Sequence, residues 1–115
     1  MEDLNLSIAG DFSWTPGPRY IEEGDYSGQE FREKILLGLV KEAIKNNYRL
    51  VVNLDGTAGY GTSFLEEAFG GLIRVDEVTY DAIKQHLFII SEEEPFLKED
   101  IEEYLNDANN VKQKK

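Results

Sequence analysis

Short apolar runs alternate with longer amphipathic segments in this chain, and this alternation constrains the fold more than any other feature. Residues 50–54 form a nearly continuous apolar run of strand length, which is typical of a buried central strand. Residues 87–90 form a second run that predicts a buried strand, and residues 4–9 alternate as a third strand would. Residues 28–46 and 62–74 repeat apolar side chains every three or four positions, as amphipathic helices do. Strands that alternate with helices predict an α/β fold with helices packed on a parallel or mixed sheet.

Capping residues mark where the predicted helices begin. Ser27 and Glu30 form a capping box before the first long helix, and Ser63 with Glu66 forms a second candidate box. Pro95 suits the first turn of the last helix. These signals place a helix start directly after each of two irregular segments.

The first irregular segment, residues 11–26, is rich in proline and glycine and predicts a loop. A fourth strand within residues 11–22 stays open as an alternative. Trp14 and Tyr20 lie in this segment, and we expect both rings to pack onto the domain because exposed aromatic surface is costly.

The composition fits one domain and excludes several kinds of site. The 115 residues suffice for a single core, which we place in residues 1–108, followed by a polar, disordered tail over residues 109–115. The chain has no cysteine and one histidine, His86, which excludes thiolate chemistry and multi-histidine metal sites. We therefore expect no metal and no cofactor.

The charge balance is strongly acidic, with 12 basic and 23 acidic residues and a net charge of -11. Such a field disfavours direct binding to nucleic acid or to anionic membranes, and it favours a basic protein partner. An acidic protein that covers a nucleic-acid-binding surface by charge mimicry stays open as an alternative. Because no apolar run approaches roughly 20 residues and no signal peptide is visible, we expect a cytoplasmic protein. We also expect a monomer or weak dimer.

A glycine-rich turn separates the apolar run at 50–54 from the helix that follows it. This candidate anion-binding or partner-binding turn consists of Asp55, Gly56, Gly59, Tyr60 and Gly61. Its glycines permit close approach of a ligand to the backbone, and the amides at the helix start favour an anion. The turn lacks the lysine of a P-loop and the glycine spacing of a dinucleotide fingerprint. A plain capped turn and a small-ligand or nucleotide site both stay open.

The residues around this turn resemble a known family. The strings GTSFLEEAFGGL at 61–72, GPR at 17–19 and SGQEFR at 27–32 are similar to the STAS-like domain family of unknown function (DUF4325). The resemblance extends over residues 15–92. It implies the STAS fold of anti-sigma factor antagonists, a small mixed sheet with helices on one side.

The resemblance also implies a modification site. In anti-sigma factor antagonists, a serine at the start of a helix is phosphorylated by a partner kinase of the histidine-kinase-like ATPase type. Thr62 falls on that serine and Ser63 on the next one, so both are candidate phosphoacceptors. A phosphoryl group there would lie against the positive end of the helix. Gly61 stands where aspartate is usual in the motif, and Phe64 stands where glycine is usual.

Charged residues outside the turn suggest further roles. Arg19 is a candidate anion contact, and it could form a polar site with Asp11 and Arg74. Glu66 and Glu67 are adjacent on a helix and point in different directions. We therefore expect a capping residue and a surface charge rather than a catalytic acid–base pair.

The sequence favours a protein-interaction module over an enzyme, because no set of nucleophile, base and orienting group can be assembled. We expect a noncatalytic module of a regulatory, partner-switching system. The acidic helix face within residues 92–107 is either solvated surface or a docking face for a basic partner.

Overall fold

The computed structural model describes residues 2–113. The strands are β1 (Asp3–Ser7), β2 (Arg49–Asn53) and β3 (Leu87–Ile90). The helices are α1 (Ile8–Asp11), α2 (28–46), α3 (62–74), α4 (Tyr80–His86) and α5 (Phe96–Gln113). Both long central helices contain a π-helical turn, at Arg32–Leu36 in α2 and at Glu66–Gly70 in α3. Such turns are uncommon and occur frequently at functional sites.

The three strands form one parallel sheet in the order β1-β2-β3. Leu6 pairs with Val52, and Val52 pairs with Ile89 across the sheet. This arrangement confirms the predicted α/β fold and the central position of β2. Within residues 2–113 the sheet is parallel rather than mixed, because a helical crossover connects each strand to the next.

Helices cover one face of this sheet in the described part of the chain. Leu6, Leu50 and Val52 point into the core and are at most 3% exposed. On the opposite face, Phe88 and Ile90 are 42% and 38% exposed. The prediction of a buried strand at β3 is therefore wrong, because β3 lies at the edge of the sheet and its alternate side chains face water.

The two central helices approach each other closely where they begin. A Cβ atom on Gly28 would lie 2.4 Å from the backbone oxygen of Phe64, so only glycine permits this approach. The rings of Phe31 and Phe64 stack at a centroid distance of 5.8 Å. Ser27 caps α2 as predicted, since its hydroxyl accepts a hydrogen bond from the amide of Glu30 at 3.0 Å. The start of α2 is thus locked against the start of α3.

The last helix packs against α3 through a buried stripe. Its members are Leu97, Ile101, Leu105 and Ala108. The helix continues past the predicted end at residue 108 as far as Gln113. Lys112 holds this last turn in place, because its ammonium group donates to the carbonyl of Ile73 and lies 3.2 Å from the carboxylate of Glu77. The rest of the predicted tail, Lys114 and Lys115, lies outside the described residues.

The segment before α2 differs from its prediction. Within the described chain, residues 11–22 contain no strand. A short 3-10 helix lies at Ile21–Glu23. Trp14 and Tyr20 are 65% and 42% exposed, so the expectation that both rings pack onto the domain is wrong. None of the helices within residues 2–113 is long and apolar enough to cross a membrane.

Candidate functional site

A cluster of paired charges connects α2, α3 and the loop that precedes α2. We call it the ion network, and its members are Arg19, Arg32, Arg74, Glu66, Glu67 and Asp76. Three arginines face three carboxylates, so the formal charges cancel within the cluster. Arg32, Glu66 and Glu67 lie within the π-helical turns of the two helices.

Arg32 and Glu67 form the buried centre of the ion network. Their side chains are 2% and 4% exposed, and the guanidinium and carboxylate groups are in direct contact. The guanidinium also donates to the backbone oxygen of Glu67 at 2.8 Å, and its Nε lies 2.9 Å from Oδ2 of Asp76. This last contact is an ion pair without hydrogen-bond alignment. Because removing an ion from water costs several kcal/mol, Arg32 can stay buried only with such partners.

Glu66 forms the more exposed part of the ion network. Its carboxylate accepts hydrogen bonds from Arg74 and from Arg19. Burial alone would raise the pKa of the Glu66 carboxyl, but the hydrogen bonds from the two arginines outweigh it and hold the pKa below its usual value. Glu66 therefore stays ionised and connects the loop before α2 to the end of α3.

Two adjacent glycines in α3 make room for these charged side chains. A Cβ atom on Gly71 would lie 2.2 Å from Nη1 of Arg32, and one on Gly70 would lie 2.7 Å from Oε2 of Glu66. Any larger residue would displace the guanidinium or the carboxylate. The GPR, SGQEFR and EEAFGGL strings that carried the family resemblance thus meet in one place.

The ion network corrects three predictions about α3. Glu66 is not a capping residue, because its carboxylate binds arginines, and the capping residue of α3 is Gly61 with no side-chain cap. Glu67 is not a surface charge, because it is buried and pairs with Arg32. Of the predicted polar site, Arg19 and Arg74 come together on Glu66. Asp11 lies elsewhere and accepts a hydrogen bond from the amide of Ser7.

The glycine-rich turn is occupied by contacts within the chain. The carboxylate of Asp55 accepts hydrogen bonds from the amides of Glu92 and Glu93, and the amide of Gly56 donates to the Glu93 carboxylate at 2.8 Å. Gly56 and Gly59 have φ values of 93° and 133°, which favour glycine. Two carboxylates therefore border the backbone amides that a bound phosphate would need.

Tyr60 connects this turn to the core. Its hydroxyl donates to the carbonyl of Leu54 at 2.6 Å, and its ring packs 5.9 Å from the ring of Phe64. Burial raises the pKa of the Tyr60 phenol to about 12, so it stays protonated as a donor. Tyr60 thus holds the turn against the end of β2 and fixes where α3 begins.

Thr62 and Ser63 occupy the first two positions of α3, and both are exposed. The first amides of a helix have no partner within the helix, so this end carries partial positive charge. Thr62 lies beside the phenol of Tyr104 on α5. Burial, together with the charge of Asp100, raises the pKa of that phenol. Both hydroxyls are therefore accessible, and one of them adjoins a second helix.

Sequence reasoning missed Arg32 and Asp76. A signal for Arg32 was present, because it lies four residues before Leu36 and therefore on the core-facing stripe of α2. A charged residue on such a stripe indicates a buried partner. No comparable pattern identified Asp76. Among residues 2–113, no group of three or more histidine or acidic side chains is arranged to hold a metal ion.

The fold and this site define an α/β domain in which an accessible helix start follows the central strand. The model of the STAS-like domain of unknown function (DUF4325) matches residues 27–96. This match covers more than half of the 115 residues, and the chain therefore belongs to that family. Arg19 and the loop before residue 27 lie outside the matched region. The comparisons with curated proteins and with solved structures found no match.

Proposed function

We propose that this chain is a noncatalytic protein-interaction module of a regulatory switch, and that phosphorylation of Thr62 or Ser63 sets its state. The observation that carries the proposal is the exposure of both hydroxyls at the first two positions of α3, directly after the turn that follows β2. The partner would be a kinase of the histidine-kinase-like ATPase type, as the resemblance to anti-sigma factor antagonists implies.

The helix start suits a phosphoryl group electrostatically. A phosphoryl group adds about -1.5 to -2 charges near neutral pH, and the positive end of a helix favours that charge. Gly61 has an extended backbone and supplies no side-chain cap, so neither hydroxyl is needed to begin α3. A modification there would therefore leave the start of α3 formed and act through its added charge.

Added charge at the start of α3 would also affect α5, which lies beside it. Thr62 adjoins Tyr104, and Tyr104 is surrounded by the charges of Asp100, Glu103 and Glu66. A dianion on Thr62 would be repelled by these carboxylates and would push against the contact between α3 and α5. A partner that binds this end of the domain would then encounter both a new charge and a displaced helix.

Binding of a nucleotide or another anion in the turn is the weaker alternative. The amide of Gly56 is already used by Glu93, and Asp55 adds a second negative charge to the same turn. An incoming phosphate would have to displace one carboxylate and approach another. These contacts disfavour a ligand that enters the turn. They favour instead a protein partner that binds the surface at the start of α3.

The experiment is phosphate mapping on the full chain recovered from its own cells, by mass spectrometry of peptides that span residues 57–74. We expect phosphate on Thr62 or Ser63, and its loss in the Thr62→Val/Ser63→Ala variant. The matched control is Thr57→Val, which removes a hydroxyl from the same turn and should leave the phosphate unchanged. Phosphate at another position only, with a partner that still responds to ATP, would contradict the proposal.

A further inference from the structure

The segment of residues 12–27, which we call the aromatic loop, exposes unusually large apolar side chains. Trp14 is 65% exposed, Ile21 and Tyr26 are each 46% exposed, and Tyr20 is 42% exposed. Single exposed apolar residues are normal on a protein surface, but several in one short loop mark an interaction site more often than chance placement. Trp and Tyr are also the residues that carry the most binding energy at protein interfaces.

The aromatic loop is exposed although it is firmly held. The amide of Gly17 donates to the carbonyl of Tyr26 at 2.8 Å, which folds the loop back on itself. The amides of Gly28 and Gln29 donate to the carbonyls of Pro18 and Arg19 at 2.9 and 3.0 Å, which join the loop to the start of α2. A Cβ atom on Gly17 would lie 2.2 Å from the carbonyl oxygen of Asp25, so the close approach requires glycine.

The backbone contacts therefore fix the loop while Trp14, Tyr20 and Tyr26 stay exposed. A binding surface with this property loses little entropy when a partner docks, since the loop is already ordered. The loop also lies next to the proposed modification site. The amide of Ala58 in the glycine-rich turn donates to the carbonyl of Trp14 at 2.7 Å. A partner seated on the aromatic loop would thus reach the start of α3.

The charges of the aromatic loop determine which partner fits. Glu22, Glu23 and Asp25 are all exposed, whereas the one cation of the loop, Arg19, is already paired with Glu66 and Glu67. The loop therefore presents aromatic rings with an uncompensated negative rim, on a chain whose net charge is -11. The guanidinium of Arg19 lies over the Tyr20 ring, 5.9 Å from its centroid, which is a cation–π contact at its outer range.

We infer that the aromatic loop docks a protein segment in which arginine side chains alternate with apolar ones. Arginine stacks on Trp and Tyr faces and pairs with carboxylates, while the apolar side chains cover Ile21 and the ring of Trp14. The inference rests on the proposed interaction function but requires no phosphorylation. An anionic membrane surface, which also attracts exposed Trp and Tyr, is disfavoured because the rim would repel it.

The test uses a labelled synthetic peptide of alternating arginine and leucine as the probe, with the unmodified full chain. We expect saturable binding by fluorescence anisotropy and a shift of the Trp14 emission, which reports on this loop alone because Trp14 is the single tryptophan. The Trp14→Ala/Tyr20→Ala variant should weaken binding by about tenfold or more, whereas Phe96→Ala, which removes another exposed aromatic ring, should change it by less than about twofold.

A charge-matched pair of variants separates docking from general attraction. Glu22→Gln/Glu23→Gln/Asp25→Asn removes three charges from the aromatic loop, and Glu99→Gln/Glu103→Gln/Asp107→Asn removes three from α5. The first should weaken binding by about tenfold and the second by less than about threefold. Equal losses would overturn the inference, because they would show attraction to the overall negative charge.

Two further outcomes would also overturn it. One is a shift of the Trp14 emission with phosphatidylcholine or phosphatidylserine vesicles but not with the peptide, which would make the loop a membrane contact. The other is binding that the Trp14→Ala/Tyr20→Ala variant leaves unchanged. Circular dichroism of each variant shows that it is folded. Because the peptide titration involves no phosphate, its failure is distinguishable from the absence of phosphate at Thr62 and Ser63.

Discussion

The ion network and the aromatic loop each depart from the usual distribution of side chains, in which charges are exposed and large apolar rings are buried. The ion network buries charge, with Arg32 and Glu67 almost fully out of water. The aromatic loop exposes large apolar rings, with Trp14 65% exposed. Most of the ion network lies within the region matched to the STAS-like family, while the aromatic loop, except for its last residue Ser27, lies outside it. Arg19 belongs to the loop and connects the two regions through Glu66.

The difference shows which region maintains the fold and which is available to a partner. A buried charge must be paired within the chain, so each member of the ion network is required by the others. An exposed ring stabilises the folded chain little, because its surface stays in water. We therefore expect substitutions in the ion network to reduce stability, and substitutions of the exposed rings of the aromatic loop to affect mainly binding.

The largest effect is expected from breaking the buried pair. Arg32→Met would leave Glu67 as an unpaired buried charge and should lower the free energy of unfolding by about 3–5 kcal/mol. Urea denaturation measures this loss. The control is Arg49→Met, which removes the exposed pair of Arg49 with Asp3 and should cost at most about 1 kcal/mol. Equal costs for the two variants would show that the buried pair does not hold α2 to α3.

A second variant separates lost pairing from lost volume. In Arg32→Met/Glu67→Leu both charges are replaced by apolar side chains. Because buried ion pairs are often replaceable in this way, the double variant should be more stable than Arg32→Met alone. A double variant that is less stable than the single one would contradict the role given to the unpaired carboxylate.

The next effect concerns the glycines of the two central helices. Gly71→Ala places a methyl group 2.2 Å from the Arg32 guanidinium and should cost about 1–3 kcal/mol. Gly38→Ala meets nothing within 4 Å in α2 and should stabilise the chain by about 0.4–1 kcal/mol. Thermal or urea denaturation shows whether each variant is more or less stable than the unaltered chain. A stabilising Gly71→Ala would mean that the guanidinium has room to move.

The third effect is a pH dependence that belongs to Glu66. Its pKa in the folded chain is below the ordinary value of 4.5, so the unfolded chain binds the proton more readily. The stability contributed by Glu66 is therefore fully present above about pH 4.5 and is lost as the pH falls through the folded pKa. Urea denaturation between pH 3 and 7 gives the free energy of unfolding at each pH. Below about pH 4.5 this free energy should fall less steeply with decreasing pH for Glu66→Gln than for the unaltered chain. An unchanged slope would assign the acid sensitivity to other carboxylates.

The smallest effects are expected where side chains are exposed. Trp14→Ala and Ser63→Ala should each change the free energy of unfolding by less than about 0.5 kcal/mol. Ser27→Ala is the contrasting variant, because its hydroxyl caps α2 and its loss should cost about 1 kcal/mol. A large cost for Trp14→Ala would erase the contrast between the two regions.

Local signals predicted much of the fold. The alternation of strands and helices and the cap at Ser27 are confirmed, because each depends on residues a few positions apart. The position of β3 was predicted wrongly as buried. An apolar run has the same appearance whether its second face is covered or open, and only the packing of helices on the sheet decides which, as the exposed Phe88 and Ile90 show.

The candidate site was predictable only in part. Thr62 and Ser63 follow from the turn and the resemblance, and they lie exposed at the start of α3. Glu66 and Glu67 were assigned to a cap and to the surface from their positions near the start of the helix, but their carboxylates pair with Arg19 and Arg32 from other segments. Arg19, Arg32 and Arg74 are far apart in sequence, and no local pattern indicates that they converge.

The sequence by itself determined the α/β class, the family and the start of α3, because periodicity, capping and motif strings are properties of neighbouring residues. Only the tertiary structure decided which charges are buried and which rings are exposed. Burial depends on what packs against a side chain, and those neighbours come from other segments. The buried contact of Arg32 with Glu67 and the exposed ring of Trp14 both arise in this way, since the first depends on how α2 packs against α3 and the second on how the loop before α2 folds.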